Sequence, residues 1–483
     1  MDAAGSDSCP RGRQYVLDPR RWLVLRGGGS FSVCNLNQCY CNMTFSSLQQ
    51  DTMQAYFGTA MDKATTDMLM NWGPVFGTLC FPAAVHVSSR PGGLRKAIWS
   101  GILLTFFGAA VRLFPILMRE LSGNKGAAQC TWAFACYHVG QILVAAAGPF
   151  NMGAVTLLSV VWFAESERTT ATAIAQVSNG MGGTLVYLNP LWLVTSRASI
   201  PNMFYFSLGL AIIPLLSALL FLPSRPQHFP SAAAMATAIA PRAEAQRERE
   251  GGQCHRLFAN RSFIVLIMAA GFFEGITIGW TSLLQTMLGP LGIHETVVGW
   301  MGFANGLASN VAGIAAASAI DTCFRRRLKA GIVIGAFGNL TCVALFMVSL
   351  PCCGVRAPRS IVPHADWTLA AALTFAGVFQ GIFEPLCYEL AAELLYPTKE
   401  STSAGLLVLV LNIFAGCMMS ANTVLDATNM NYIMTLSVLI VFLAILFGVQ
   451  EEFRRPQNFA SDAADGVQPH SAAEPTAWLC PRA

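Results

Sequence analysis

The chain has 483 residues, of which 54% are hydrophobic and 12% charged, with a formal net charge of +4 and a mean hydropathy of +0.50. That balance excludes a soluble globular domain or a nucleic-acid binder and describes an integral membrane protein. Fifteen cysteines lie scattered through apolar segments without metal-ligand spacing, so they read as small buried hydrophobes, and no metal or other cofactor is expected.

Residues 1–21 form a polar tail, read as cytoplasmic, with no apolar segment leading to a cleavage site. The next stretch, RRWLVLRGGGSFSVCNLNQCYCNMTFSSLQQ, begins as a membrane helix, meets Arg26 and Gly27 to Gly29, and continues rich in Ser, Asn and Gln. Roughly 20 apolar residues make a span, and candidates follow near 67–88, 96–118, 128–161, 170–195 and 202–223. A Pro-, Ala- and charge-rich segment over 224–261 reads as a cytoplasmic linker. Further spans are expected near 262–288, 296–320, 329–350, 367–392, 402–422 and 430–449, before a polar tail over 451–483.

Counting the opening stretch as a first span near 30–48 puts both termini inside. Only Lys63, Arg119, Lys125, Arg197, Arg356 and Arg359 then fall outside and Arg112 within a span. All other basic residues are cytoplasmic, which is the charge asymmetry membrane insertion favours.

The two halves repeat. WFAESERTTATA from Trp162 and LYPTKESTSAG from Leu395 pair Glu167 with Glu400 and Thr169 with Thr402, and the same offset pairs SSRPGGLRKA from Ser88 with DTCFRRRLKA from Asp321. At an offset two residues longer, Phe45-Ser46-Ser47-Leu48 aligns with Trp280-Thr281-Ser282-Leu283. Parallel repeats of six helices are the design of major facilitator transporters. The fold expected is therefore an all-α membrane protein of the major facilitator superfamily, with 12 transmembrane helices in two six-helix bundles and an atypical first helix.

The motifs RRWLVL, NWGP at 71–74, GGLR at 92–95, WFAESERTTATAIA at 162–175, GW at 279–280 and YELAAELLYPTKESTSAG at 388–405 resemble solute carrier family 49, the feline leukaemia virus subgroup C receptor-related group. Within it they look most like the member 4 branch. Two departures stand out: the family's first helix is apolar after RRWLVL, and Ser88 and Ser89 replace an aspartate of the loop after helix two. The resemblance implies a monomeric secondary transporter of a small organic solute at the plasma or lysosomal membrane. A pyridoxine-like vitamin, with or without proton coupling, or a choline-like amine fits best, with a haem transporter or a transport-inactive receptor or scaffold as alternatives.

Glu274 in GFFEGITIGW lies among apolar residues, and an ionisable group inside a span is costly enough to be functional by default. Its carboxylate binds a cation or takes up a proton, against the plainer reading of a carboxyl hydrogen-bonded to a neighbour. Helices one and seven line the central cavity of such a fold, so Gln38, Tyr40, Asn42 and Trp280 are expected on the substrate-facing wall, with Asn179 from helix five. For Trp280 the alternative is packing. Glu389 and Glu393, four apart on one helical face, are expected with Glu167, Arg168, Asp321 and Glu400 to hold a cytoplasmic gate. No nucleotide loop, zinc cluster or nucleophile motif points to an enzyme.

Overall fold

A computed structural model describes residues 31–88, 90, 92–123, 126, 129–163, 165–221, 260–319, 327–350, 366–395 and 400–450. Among these, every regular element is helical. The first bundle contains α1 (Phe31–Met43), α2 (Lys63–Leu79, continued at a 45° bend by Phe81–Ser88), α3 (Gly93–Ser122), α4 (Thr131–Trp162), α5 (Glu165–Leu185) and α6 (Pro201–Phe221). The second contains α7 (Arg261–Ser282), α8 (Glu295–Ala319), α9 (Leu328–Ser349), α10 (Asp366–Leu394), α11 (Glu400–Ala421) and α12 (Ala427–Gly448). The expected tails lie outside the described residues, as does the linker except its last two positions.

Local chemistry sets several boundaries. Asp62 caps α2 by accepting the Thr65 amide at 2.8 Å, a bond that holds its carboxyl below the usual carboxylate range. Asn260 and Asp426 cap α7 and α12 in the same way. Left-handed glycines, Gly92 at φ +69° and Gly123 at φ +65°, bracket α3.

The internal repeat is visible in the packing. Helix α1 lies along α5 as α7 lies along α11, α3 packs on α4 and α6 as α9 packs on α10 and α12, and α2 meets α4 as α8 meets α10. Glycines allow the closest approaches. A Cβ on Gly182 of α5 would overlap the Leu36 carbonyl of α1, and one on Gly275 of α7 would overlap the Leu411 carbonyl of α11. The bundles meet where α2 lies on α11 and α5 on α8.

By length and apolarity alone, 8 described helices could cross a membrane, or 9 if the bent pair of α2 is one span. Helices α1, α5 and α8 fall short of that test. Helix α1 is too short for it, and it packs on α5, which also packs on α8. Helix α1 has 13 residues, extended by a 3-10 turn at Thr44–Ser46. Both segments fall inside the span expected near 30–48.

Candidate functional site

The polarity of α1 is consumed mostly inside its own bundle. Asn35 donates to the Ala175 carbonyl of α5 at 3.3 Å, and Gln38 donates to the Val144 carbonyl of α4 at 3.1 Å. Where the helix ends, Arg112 of α3 donates Nη1 to the Cys41 carbonyl at 2.7 Å and to Gln141 Oε1 at 2.8 Å, while Gln141 donates to the Asn42 carbonyl at 2.7 Å. Carbonyls at a helix C-terminus lack intrahelical donors; here a buried guanidinium and an amide come to the last turn of α1. Asn179 of α5 donates to the Asn35 carbonyl at 3.2 Å and to Gln38 Oε1 at 3.5 Å. Gln38 and Asn179, both expected on the substrate wall, lie within reach of one another. Asn42 packs against Gly73 of α2, with its Oδ1 buried and lacking a partner.

Two residues expected on the substrate wall are packed inside their own bundle. Tyr40 is fully buried, its hydroxyl donating to Asn189 Oδ1 at 2.6 Å and its ring standing edge-on to Phe206 of α6 at 5.3 Å. Trp280 is likewise buried, donating Nε1–H to Asn431 of α12 at 2.8 Å and meeting Phe346 of α9 edge-on at 5.3 Å. Both rings face peripheral helices of their own bundle. An indole or phenol taken out of water needs a partner for its polar atom, and these partners turn the rings away from the other bundle. Phe45, which aligns with Trp280, shows the same orientation, with Phe204 of α6 at 5.8 Å.

Glu274 lies in the middle of α7 with 2% of its surface exposed. Its Oε2 accepts the side-chain amide of Gln380 of α10 at 3.0 Å, and its Oε1 is buried without a hydrogen-bond partner. One helical turn beyond Gln380 on α10 stands Glu384. Phe273 and Phe383 pack beside them with ring centroids 4.5 Å apart. Glu384 and Gln380 were missed from the sequence, although Glu384 in GIFEPLCYE carries the same signal as Glu274: an acid inside an apolar run.

Among the described residues, a set of polar bonds joins the bundles at the end where α2 and α8 begin, the outer end in the charge-derived topology. Asn422 donates to both carboxylate oxygens of Asp67 at 2.9 Å, Asn71 donates to Ser420 Oγ at 2.6 Å, and Lys63 Nζ reaches the Leu425 carbonyl at 3.5 Å. Across the other seam Glu295 accepts the Gln49 amide at 2.7 Å and the Thr52 hydroxyl at 3.0 Å, and Tyr187 donates to the Thr281 carbonyl at 2.6 Å. This closure was not legible in the sequence. Of the gate expected at the opposite end, Glu389 and Glu393 both lie in the last turns of α10, with Glu393 buried. Asp321 falls outside the described residues, as do the side chains of Glu167, Arg168 and Glu400.

No family model matches the chain. It is 28% identical over 469 residues to a solute carrier family 49 member 4 homolog of Xenopus laevis, covering 91% of this chain and 95% of that one. A choline/ethanolamine transporter of Danio rerio is 25% identical over 410 residues, covering 81% and 75%. Among solved structures, the xylose transporter XylE from E. coli in an inward open conformation shares the fold with a TM-score of 0.62 at 14% identity, covering 88% of this chain and 96% of that one. The E. coli fucose:proton symporter gives 0.53 at 15% identity, covering 87% and 98%.

Proposed function

We propose, for a chain that has the major facilitator fold and relatives in solute carrier family 49, a secondary transporter of a small organic solute working by alternating access. The observation that supports this reading is the set of bonds that joins the two bundles at the outer end. Two repeat-related bundles are bonded to each other by Asp67–Asn422, Glu295–Gln49 and Glu295–Thr52 at the end where α2 and α8 begin, away from the mid-span Glu274. A rocking pair of bundles needs bonds of this kind that form at one face when the other opens.

The substrate fits a choline-like amine or a pyridoxine-like vitamin. The choline/ethanolamine transporters among the relatives support the amine, and the membrane-embedded carboxylate of Glu274 supplies a counter-charge for a cation. Gln38, Asn42 and Asn179 contribute amide donors and acceptors from the first bundle. Tyr40 and Trp280 are left out because packing occupies them. The membrane is the plasma or lysosomal one.

Uptake of labelled choline and pyridoxine by purified protein in liposomes tests this reading. Saturable flux of one of them is expected, and its absence for both removes both substrates and favours a transport-inactive receptor or scaffold.

A further inference from the structure

We infer that Arg112 is the core of a binding site for a small monatomic anion, of the chloride class, inside the first bundle. The inference does not depend on the transporter reading above.

Arg112 of α3 is 0% exposed, and three other helices touch its head group. Nη1 commits both of its hydrogens, to the Cys41 carbonyl of α1 at 2.7 Å and to Gln141 Oε1 of α4 at 2.8 Å. The guanidinium carbon stands 5.9 Å from the centre of the Phe204 ring of α6. The opposite edge is different: Nε and Nη2 are both buried and neither has an acceptor. Those two nitrogens carry parallel N–H bonds on one side of the guanidinium plane, the fork with which arginine grips an anion at two points. A further donor lies one turn before Cys41 on α1, where Asn37 accepts the Cys41 thiol on Oδ1 at 3.5 Å and leaves Nδ2 buried without an acceptor. Among the described residues, these three are the buried side-chain nitrogens that lack a partner.

The guanidinium also lacks a counter-charge among the described side chains of its bundle. Asp51 and Asp62 are exposed, and Asp67 of α2 is held by Asn422 of the second bundle. Glu120, farther along α3, lies about 12 Å away at 1.5 Å per residue and accepts the Tyr205 hydroxyl at 2.5 Å. A buried, unmatched charge is costly. The carbonyl end of α1 offsets part of that cost on the Nη1 side only. Nor can the side chain easily swing toward water, because its stem is tightly held: a Cβ on Gly140 of α4 would lie 2.5 Å from Arg112 Cγ. A water molecule at the free edge accepts two N–H bonds but brings no charge and needs acceptors for its own hydrogens. A halide accepts from every donor, needs no acceptor and supplies the missing charge. Enclosure by α1, α3, α4 and α6 favours a single-atom ion over a carboxylate or phosphate.

Thermal unfolding of the purified full-length protein in detergent reads the site, with sodium chloride replacing sodium gluconate at constant ionic strength. In the wild type the melting temperature is expected to rise with chloride along a single-site saturation curve, and bromide should act alike. Arg112→Lys keeps a positive charge but loses the two-pronged edge, so the chloride concentration at half effect should rise about tenfold or more. Gln141→Glu keeps an oxygen beside Nη1 and supplies the counter-charge from within the chain. Its melting temperature should no longer depend on chloride, and it serves as the test should Arg112→Lys not fold. A wild type whose melting temperature ignores chloride, or climbs without saturating, overturns the site. So does an unaltered saturable response in either folded variant, which places the ion elsewhere.

Discussion

Asn422, at the end of α11, donates its side-chain amide to both carboxylate oxygens of Asp67 in α2 at 2.9 Å, with both residues 1% exposed. The bond joins the two bundles through a buried charge, and hydrogen bonds to charged groups contribute about 1.5–3 kcal/mol.

Removing it should change which face is open. Asn422→Ala leaves Asp67 buried without its donor, so the closed outer end should lose about 10- to 100-fold of its population advantage, the equivalent of that energy. Spin labels at the exposed positions Asp51 and Val424 would report it. A distance distribution extended to longer values is expected; an unchanged one means the bond does not govern closure.

Helix contact at Gly182 should be intolerant of a methyl group. Gly182→Ala drives a Cβ into the Leu36 carbonyl, a backbone atom that cannot step aside, and overpacking of this kind costs about 1–3 kcal/mol. Gly209 of α6 has open space around its Cβ direction, so Gly209→Ala should be neutral or stabilise the helix by up to about 1 kcal/mol. Thermal unfolding in detergent compares the two, and equal melting temperatures would refute the close contact.

Trp280 should behave as a packing residue. Trp280→Ala is expected to cost about 3–5 kcal/mol of stability, and Trp280→Phe, which loses the bond to Asn431, about 1 kcal/mol. A Trp280→Phe protein of normal stability with a severalfold raised KM would restore it to the substrate wall.

Orientation is open to glycosylation mapping. The charge asymmetry places the connection after α1 outside, where Thr59 and Ala60 are exposed. An acceptor sequence there should be modified in the full-length protein; modification of the N-terminal tail instead would invert the topology.

Much of the architecture was legible in the residues alone. Apolar runs of span length, basic residues gathered in one set of loops and the Glu167/Glu400 repeat fix a paired six-helix membrane fold, because insertion into a bilayer responds to local hydropathy and charge. Glu274 was legible for the same reason: a carboxylate in an apolar run violates the local rule. Glu384 obeyed the identical rule but stood beside Pro385 and ahead of the more conspicuous pair Glu389 and Glu393.

The directions of side chains were decided only by the tertiary structure. Tyr40 and Trp280 look like cavity walls from their positions on helices one and seven, yet a helix has several faces, and sequence periodicity does not distinguish a face packed on α6 or α12 from one turned toward the other bundle. Asp67 and Asn422 are far apart in the chain, so no local pattern announces their bond. In the same way the polar residues of α1 signal only that the helix avoids lipid. Packing against α3, α4 and α5 determines that most of those groups bond within the first bundle, because each donor is satisfied by whichever carbonyl or amide the fold brings within reach.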